Sequence, residues 1–204
     1  TFAGQFYTNA GTFQLLYTAP GFATATSTPV TVQAAAAARL AMFVSPPETA
    51  SACAAISPAP VVRIEDTFGN QVTSAVNAVT ARGVAFVMTG TSNVTAAAGL
   101  AGFTNLLPSA TGTGYRVAFD AAGLTSATSS VFEVVAGTPF ELVLLTNISP
   151  VATAGVRFVQ QPALAVRDAC GNLAVQASVV VTAAVQTGAG TLQGDTVRTS
   201  SLGY

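Results

Sequence analysis

The sequence predicts an all-β protein made of tandem β-sandwich modules, on three observations. The first is an internal repeat. Asp66, Gly69 and Asn70 stand 102 residues before Asp168, Gly171 and Asn172. Phe13, Leu15, Tyr17 and Gly21 stand the same distance before Tyr115, Val117, Phe119 and Gly123. Two unrelated landmarks sharing one offset mark an array of like domains. The second observation is that Val, Thr and Phe occur in short runs broken by Gly, Pro, Asn and Ser, the pattern of many short strands. The third is that helical periodicity is sustained nowhere along the chain.

The period divides the 204 residues into 1–35, the last third of a module, 36–137, a complete module, and 138–204, the first two thirds of the next. The chain is expected to be a slice through a longer one, with any targeting signal outside it. In the complete module, strands are expected at 39–44, 60–65, 83–88, 102–107, 115–120 and 131–135. The first is stopped by Ser45-Pro46-Pro47, because proline stiffens the chain and donates no ladder bond. In the second, Val62 and Ile64 alternate with Arg63 and Glu65, so the apolar pair faces inward and the charged pair faces water. Alternation is clearest at 115–120, where Tyr115, Val117 and Phe119 point inward and Arg116 and Asp120 outward. The other three rest on short apolar runs alone. About seven short strands per hundred residues predict an immunoglobulin-like sandwich. Many inward positions are Ala or Val, so the core is expected to be light, with sheet pairing and neighbour contacts carrying much of the stability.

The strand followed by Asp-x-x-Gly-Asn, seen at 66–70 and again at 168–172, and the later Gly114-Tyr115 and Gly123-Leu124-Thr125-Ser126-Ala127 resemble bacterial invasin-type and filamin-like tandem Ig-like repeats over the whole chain. The alanine-rich, lysine-free version with Ser-Pro-Pro segments most resembles the repeats of large green-algal surface glycoproteins, including flagellar-hair (mastigoneme) proteins. The resemblance implies an extracellular, glycosylated, structural segment of a filament. Its partners would be neighbouring modules and sister subunits. The alternative is an adhesin or receptor stalk that binds glycan or protein through its loops.

Composition narrows the chemistry. Only 7% of residues are charged, against roughly 25% in ordinary soluble domains, which leaves a surface open to association unless sugar or neighbours cover it. With a net charge of −1 and no basic cluster, neither nucleic acid nor anionic lipid is an expected partner. No stretch reaches the ~20 apolar residues of a spanning helix. Histidine is absent, which removes the usual acid–base group near neutral pH and any Ser–His or Cys–His nucleophile. Glu65 and Asp66 are neighbours on a strand and point to opposite faces, so they cannot flank one substrate atom. Gly188-Ala189-Gly190-Thr191 lacks the lysine and helix start of a phosphate loop. No enzyme activity, cofactor or metal is expected.

Four sets of residues stand out. The turns Asp66, Gly69, Asn70 and Asp168, Gly171, Asn172 could offer oxygens to calcium between modules. One carboxylate per turn is too few, and Asp and Asn close such turns on their own backbone while Gly supplies positive φ. Cys53 and Cys170 have no cysteine at the matching position one period away. Cys53 belongs to the loop after a first strand and Cys170 to the loop after a second, at poles that face each other in a head-to-tail stack. An inter-module disulfide is therefore expected, with two unpaired or intermolecular thiols as the alternative. Such a bond would place the protein in an oxidising compartment. Asn93 and Asn147 begin N-glycosylation acceptor motifs, Asn93 in what reads as an exposed loop and Asn147 ahead of an unfavourable Pro150. Ser45, Pro46, Pro47, Ser57, Pro58 and Pro60 are candidates for O-linked or hydroxyproline-linked sugar, or rigid loops. Tyr115 resembles the tyrosine of an Ig corner, but its counterpart Phe13 has no hydroxyl, so core packing is the expected role of both.

Overall fold

The computed structural model describes residues 2–174 and 179–198, and no helix is present among them. The first segment holds β1 (Gly11–Phe13), β2 (Leu16–Tyr17), β3 (Ala25–Thr26) and β4 (Val30–Val32). The middle one holds β5 (Arg39–Val44), β6 (Thr49–Ser51), β7 (Val61–Glu65), β8 (Ala78–Val84), β9 (Met88–Gly90) and β10 (Asn93–Thr95). It continues with β11 (Leu100–Gly102), β12 (Leu106–Pro108), β13 (Gly112–Asp120), β14 (Ala127–Thr128) and β15 (Phe132–Val135). The last contributes β16 (Pro139–Thr146), β17 (Ala163–Asp168), β18 (Val180–Thr182) and β19 (Thr196–Arg198).

Residues 39–135 form a sandwich. One sheet runs β11-β7-β5 and the other β10-β8-β13-β15-β6, with β14 added on β13. The first strand of the module serves both sheets. As β5 it pairs antiparallel with β7; beyond Ser45-Pro46-Pro47 it resumes as β6, parallel to β15. The two prolines cannot donate to a ladder, so pairing stops there and the chain crosses over.

The predicted strands at 39–44, 60–65, 115–120 and 131–135 are present within a few residues. Those at 83–88 and 102–107 each straddle a break. Ala85 adopts φ +70° between β8 and β9, and β11 and β12 are separated at 103–105.

Val62 and Ile64 from one sheet meet Val79, Val117, Phe119 and Val134 from the other, all almost fully buried. The core is heavier than its alanines suggest. Phe103, Phe119 and Phe132 are all enclosed, Phe103 and Phe119 with ring centres 5.1 Å apart, and Phe86 stacks on Tyr115 at 4.7 Å. Glu65 departs from simple alternation. It is buried, and its carboxylate receives Arg39 at 2.9 Å and Arg63 from the same sheet face, with both guanidiniums partly in water. Ala118, on the outward face, is buried between its cross-strand partners Arg82 and Thr128.

The flanking segments repeat parts of this sandwich in the same register. Phe13 pairs with Val30 as Tyr115 pairs with Phe132, and Leu16 with Thr26 as Ala118 with Thr128. At the other end Leu142 pairs with Val166 as Leu40 pairs with Ile64. The cross-strand pair Arg39–Glu65 becomes Glu141–Arg167, with its charges exchanged.

Candidate functional site: the junctions between modules

The Asp-x-x-Gly-Asn turns join segments as well as closing on themselves. At the end of β7, Asp66 Oδ1 accepts the Phe68 and Asn70 amides, each at 2.9 Å, which makes an Asx turn. Gly69 follows at φ +89°. Oδ2 turns outward to the linker and accepts the Ala35 amide at 2.9 Å. The Asn70 side chain donates to this Oδ2 and to the Thr8 carbonyl at 2.7 Å, while its own oxygen accepts the Ala10 amide at 2.8 Å. One Asp and one Asn thus bind the linker and the preceding module together.

The same bonds are made after β17. Asp168 Oδ1 accepts the Cys170 and Asn172 amides and Oδ2 accepts Gly137 at 2.9 Å; Ala35 and Gly137 are 102 residues apart. Asn172 donates to the Ser109 carbonyl at 2.9 Å and accepts the Thr111 amide at 3.4 Å. The offset here is 101, so the loop before β13 is one residue longer between Thr111 and Tyr115 than the matching loop is between Ala10 and Phe13.

Both aspartates are buried, which opposes ionisation, yet the donors outweigh that cost. Hydrogen bonds from the Asn70 side chain and from the Ala35, Asn70 and Phe68 amides hold Asp66 at about 2. Burial of Asp168 is likewise outweighed by Asn172, Gly137 and Cys170, and its carboxyl lies below the usual range. Four donors on each carboxylate fill its oxygens with partners from this chain. Among the described residues no group of three or more His, Cys, Asp or Glu could hold a metal ion.

The second junction carries two further ties. Cys170, inside the turn, forms a disulfide with Cys53 in the loop after β6, with Cα atoms 5.8 Å apart. At the first junction the residue in the place of Cys170 is Phe68, 60% exposed. The Tyr115 hydroxyl donates to the Thr111 carbonyl at 3.1 Å. Tyr115 therefore does make the backbone bond of an Ig corner, contrary to a packing role alone, and it steadies the residue whose amide reaches Asn172. Phe13 has no such bond to make. A cleft of about 770 Å³ lies beside this junction, lined in part by Thr111, Gly112, Glu133, Gly137 and Leu173. Glu133 is the sole titratable group among its described lining residues.

No protein-family model matches the chain, and no curated protein is significantly similar to it. The geometry alone therefore carries the functional reading.

The modification candidates divide. Asn93 is exposed but opens the edge strand β10, where its side chain donates to Thr80 Oγ1 at 3.2 Å; it is not in a loop. Asn147 is exposed beyond β16, and its side-chain Oδ1 accepts the Ile148 amide. Ser57 and Pro58 are exposed, and Ser45 and Pro47 half-buried. Pro46 and Pro60 are buried, Pro60 fully, so neither ring can carry sugar in this fold.

The sequence offered no side-chain signal for Ala35, Gly137, Thr8, Ala10, Ser109 or Thr111. They take part through backbone groups.

Proposed function

We propose that this chain is a segment of a long extracellular array of immunoglobulin-like modules that forms or decorates a surface filament, such as the hair of a cilium or flagellum, and that its role is mechanical. The observation that carries this reading is the junction. The same Asp and Asn bonds hold linker and neighbour at 35–66 and at 137–168, and one of the two is also cross-linked. A fixed junction sets a constant angle and pitch between modules, which a rod needs and an enzyme does not. The disulfide fits an oxidising, extracellular setting. Glycans on exposed Asn93 and Asn147 would shield a surface that has few charges.

Electron microscopy of the native material tests the reading. The nine residues of β13 and the three-residue linker 136–138 rise ~3.3 Å each, which gives an axial repeat of about 40 Å. Continuous polymer with that repeat is expected. Isolated rods ending in a distinct tip would instead favour the adhesin or receptor stalk.

A further inference from the structure

Cys53 and Cys170 close a covalent short cut across most of the middle module. Tension arriving through the linker at Ala35 enters β5, passes Ser45-Pro46-Pro47 into β6 and reaches Cys53 two residues beyond that strand. There it can cross to Cys170 directly, over a Cα separation of 5.8 Å. The other route runs through β7 to β15, the linker 136–138, β16 and β17. That route has a sequence separation of 117, about 420 Å of chain at ~3.6 Å per extended residue. A chain under tension carries load along its shortest covalent path, so the long route is slack.

We propose that the Cys53–Cys170 bridge is a force shunt, which carries tension past β7 to β15 and keeps the middle module from lengthening while it is oxidised. The loaded piece has little length to give. β5 and β6 run the same way along the module, since β6 is parallel to β15 and Arg39 makes a parallel bridge to Thr125. Strand residues already rise ~3.3 Å against a maximum of ~3.6 Å, so residues 39–51 can stretch by only about 5 Å. Load speeds an opening event according to the length that event releases, and opening the module behind the bridge releases almost none. Without the bridge the same event frees roughly 300 Å. The loaded strands are also held along their length, by β7 over β5 and by β15 over β6, with the Leu40 amide on the Thr125 carbonyl and the Ala52 amide on the Val135 carbonyl, each at 2.8 Å. Pulled lengthwise, these bonds shear together instead of peeling one by one. The two junctions divide accordingly. Ala35, held by Asp66, lies on the loaded path; Gly137, held by Asp168, lies in the slack one. Reduction by a dithiol, which supplies two electrons and two protons and itself becomes a disulfide, leaves two thiols and puts the whole module back under load. The shunt deepens the mechanical reading and rests on it for its purpose.

Optical tweezers holding the 204-residue chain by its two ends test it, with a donor–acceptor dye pair at positions 78 and 95. Ala78 and Thr95 are exposed cross-strand partners on β8 and β10, inside the slack route. As load rises, the oxidised chain is expected to lengthen with energy transfer between the dyes unchanged. After a dithiol is added to the same molecule, a step of roughly 300 Å should appear and transfer should vanish with it. The variant Cys53→Ser/Cys170→Ser should behave like the reduced chain with no reductant present. Transfer lost from the oxidised chain at the load that opens the reduced one, or a reduced chain that keeps transfer at every load the oxidised chain withstands, would overturn the shunt. Either result leaves the axial repeat seen by microscopy untouched, so the shunt and the array reading fail separately.

Discussion

Asp66→Asn removes one charge and leaves the shape of the first junction almost unchanged. The carboxylate accepts four donors: Phe68 and Asn70 amides at Oδ1, the Ala35 amide and the Asn70 side chain at Oδ2. A side-chain amide has one carbonyl oxygen, so whichever way the substituted group turns, two of the four donors face an NH2 group. A hydrogen bond to a charged group contributes about 1.5–3 kcal/mol net. At ~1.4 kcal/mol per factor of ten, each deprived amide loses roughly 10- to 100-fold of its protection from hydrogen exchange. The assay is residue-resolved exchange by NMR. Either Ala35 or the pair Phe68 and Asn70 speeds up by that factor, while core amides such as Val117 change little. The matched variant Asp168→Asn should show a smaller loss at Gly137, because the Cys53–Cys170 bond still holds that junction; reduction should bring the two into line. If none of the three amides at the first junction changes, or if all core amides speed up equally, the carboxylate is not the tie argued for it.

Three further outcomes follow from the same geometry. Replacing Cys53 and Cys170 together by Ser opens a loop with a sequence separation of 117, for which chain entropy allows at most about 5 kcal/mol and measured bridges more often give 2–4; calorimetry should show the melting temperature of the middle module fall by roughly 10–20 °C, and a fall near zero would mean the bridge spans no unfolding segment. Gly137→Ala puts a Cβ 2.6 Å from the Ala52 carbonyl oxygen, whereas Ala35 already carries a Cβ at the matching place; thermal melting should register a loss for Gly137→Ala and almost none for Ala35→Gly. With no histidine present and Asp66, Asp168 and Glu65 all held below their ordinary values, the stability these carboxylates give is complete above about pH 5, beyond the ordinary carboxylate range, and is lost as pH falls through their lowered folded values, about 2 for Asp66. Melting temperature should therefore be flat from about pH 5 to 8 and drop below 4, and a step within the flat range would contradict the assignment.

What could be read from residues was whatever side chains announce. Alternation placed β7 and β13, and Pro46-Pro47 marked where β5 ends, because period and missing N–H groups are written in residue type. The break in the predicted strand 83–88 was invisible, since Ala85 at φ +70° looks like any alanine. The break between β11 and β12 had a signal in Thr104-Asn105, a turn-prone pair. Burial of Glu65 depended on Arg39 reaching across from β5, a tertiary fact. The Asp-x-x-Gly-Asn turn was legible as a turn and illegible as a tie, because its distant partners are main-chain groups of residues with nothing to display. Cys53 and Cys170 were different: two cysteines, unmatched one period away, left few geometries, and strand direction chose among them.

The placement of charge sharpens the mechanical reading. Of the eight acidic residues in the chain, Glu65, Asp66 and Asp168 are buried, although a carboxylate is costly to bury unless fully partnered. A hydrophobic contact would tolerate sliding or tilting of one module on the next, since it has no direction. The linker amide on each buried carboxylate, Ala35 on Asp66 and Gly137 on Asp168, is directional, so tilting the linker breaks a hydrogen bond to a charged group while the Asp keeps the three donors of its own turn. Strength alone could have come from larger apolar junctions; the buried Asp selects one angle. Where Asp168 works beside Cys53–Cys170 that angle is also covalently fixed, so the two junctions share one geometry and differ in how firmly it is kept. Under load, the first junction should therefore yield before the second, and single-molecule stretching of the oxidised chain should lose the difference once the disulfide is reduced.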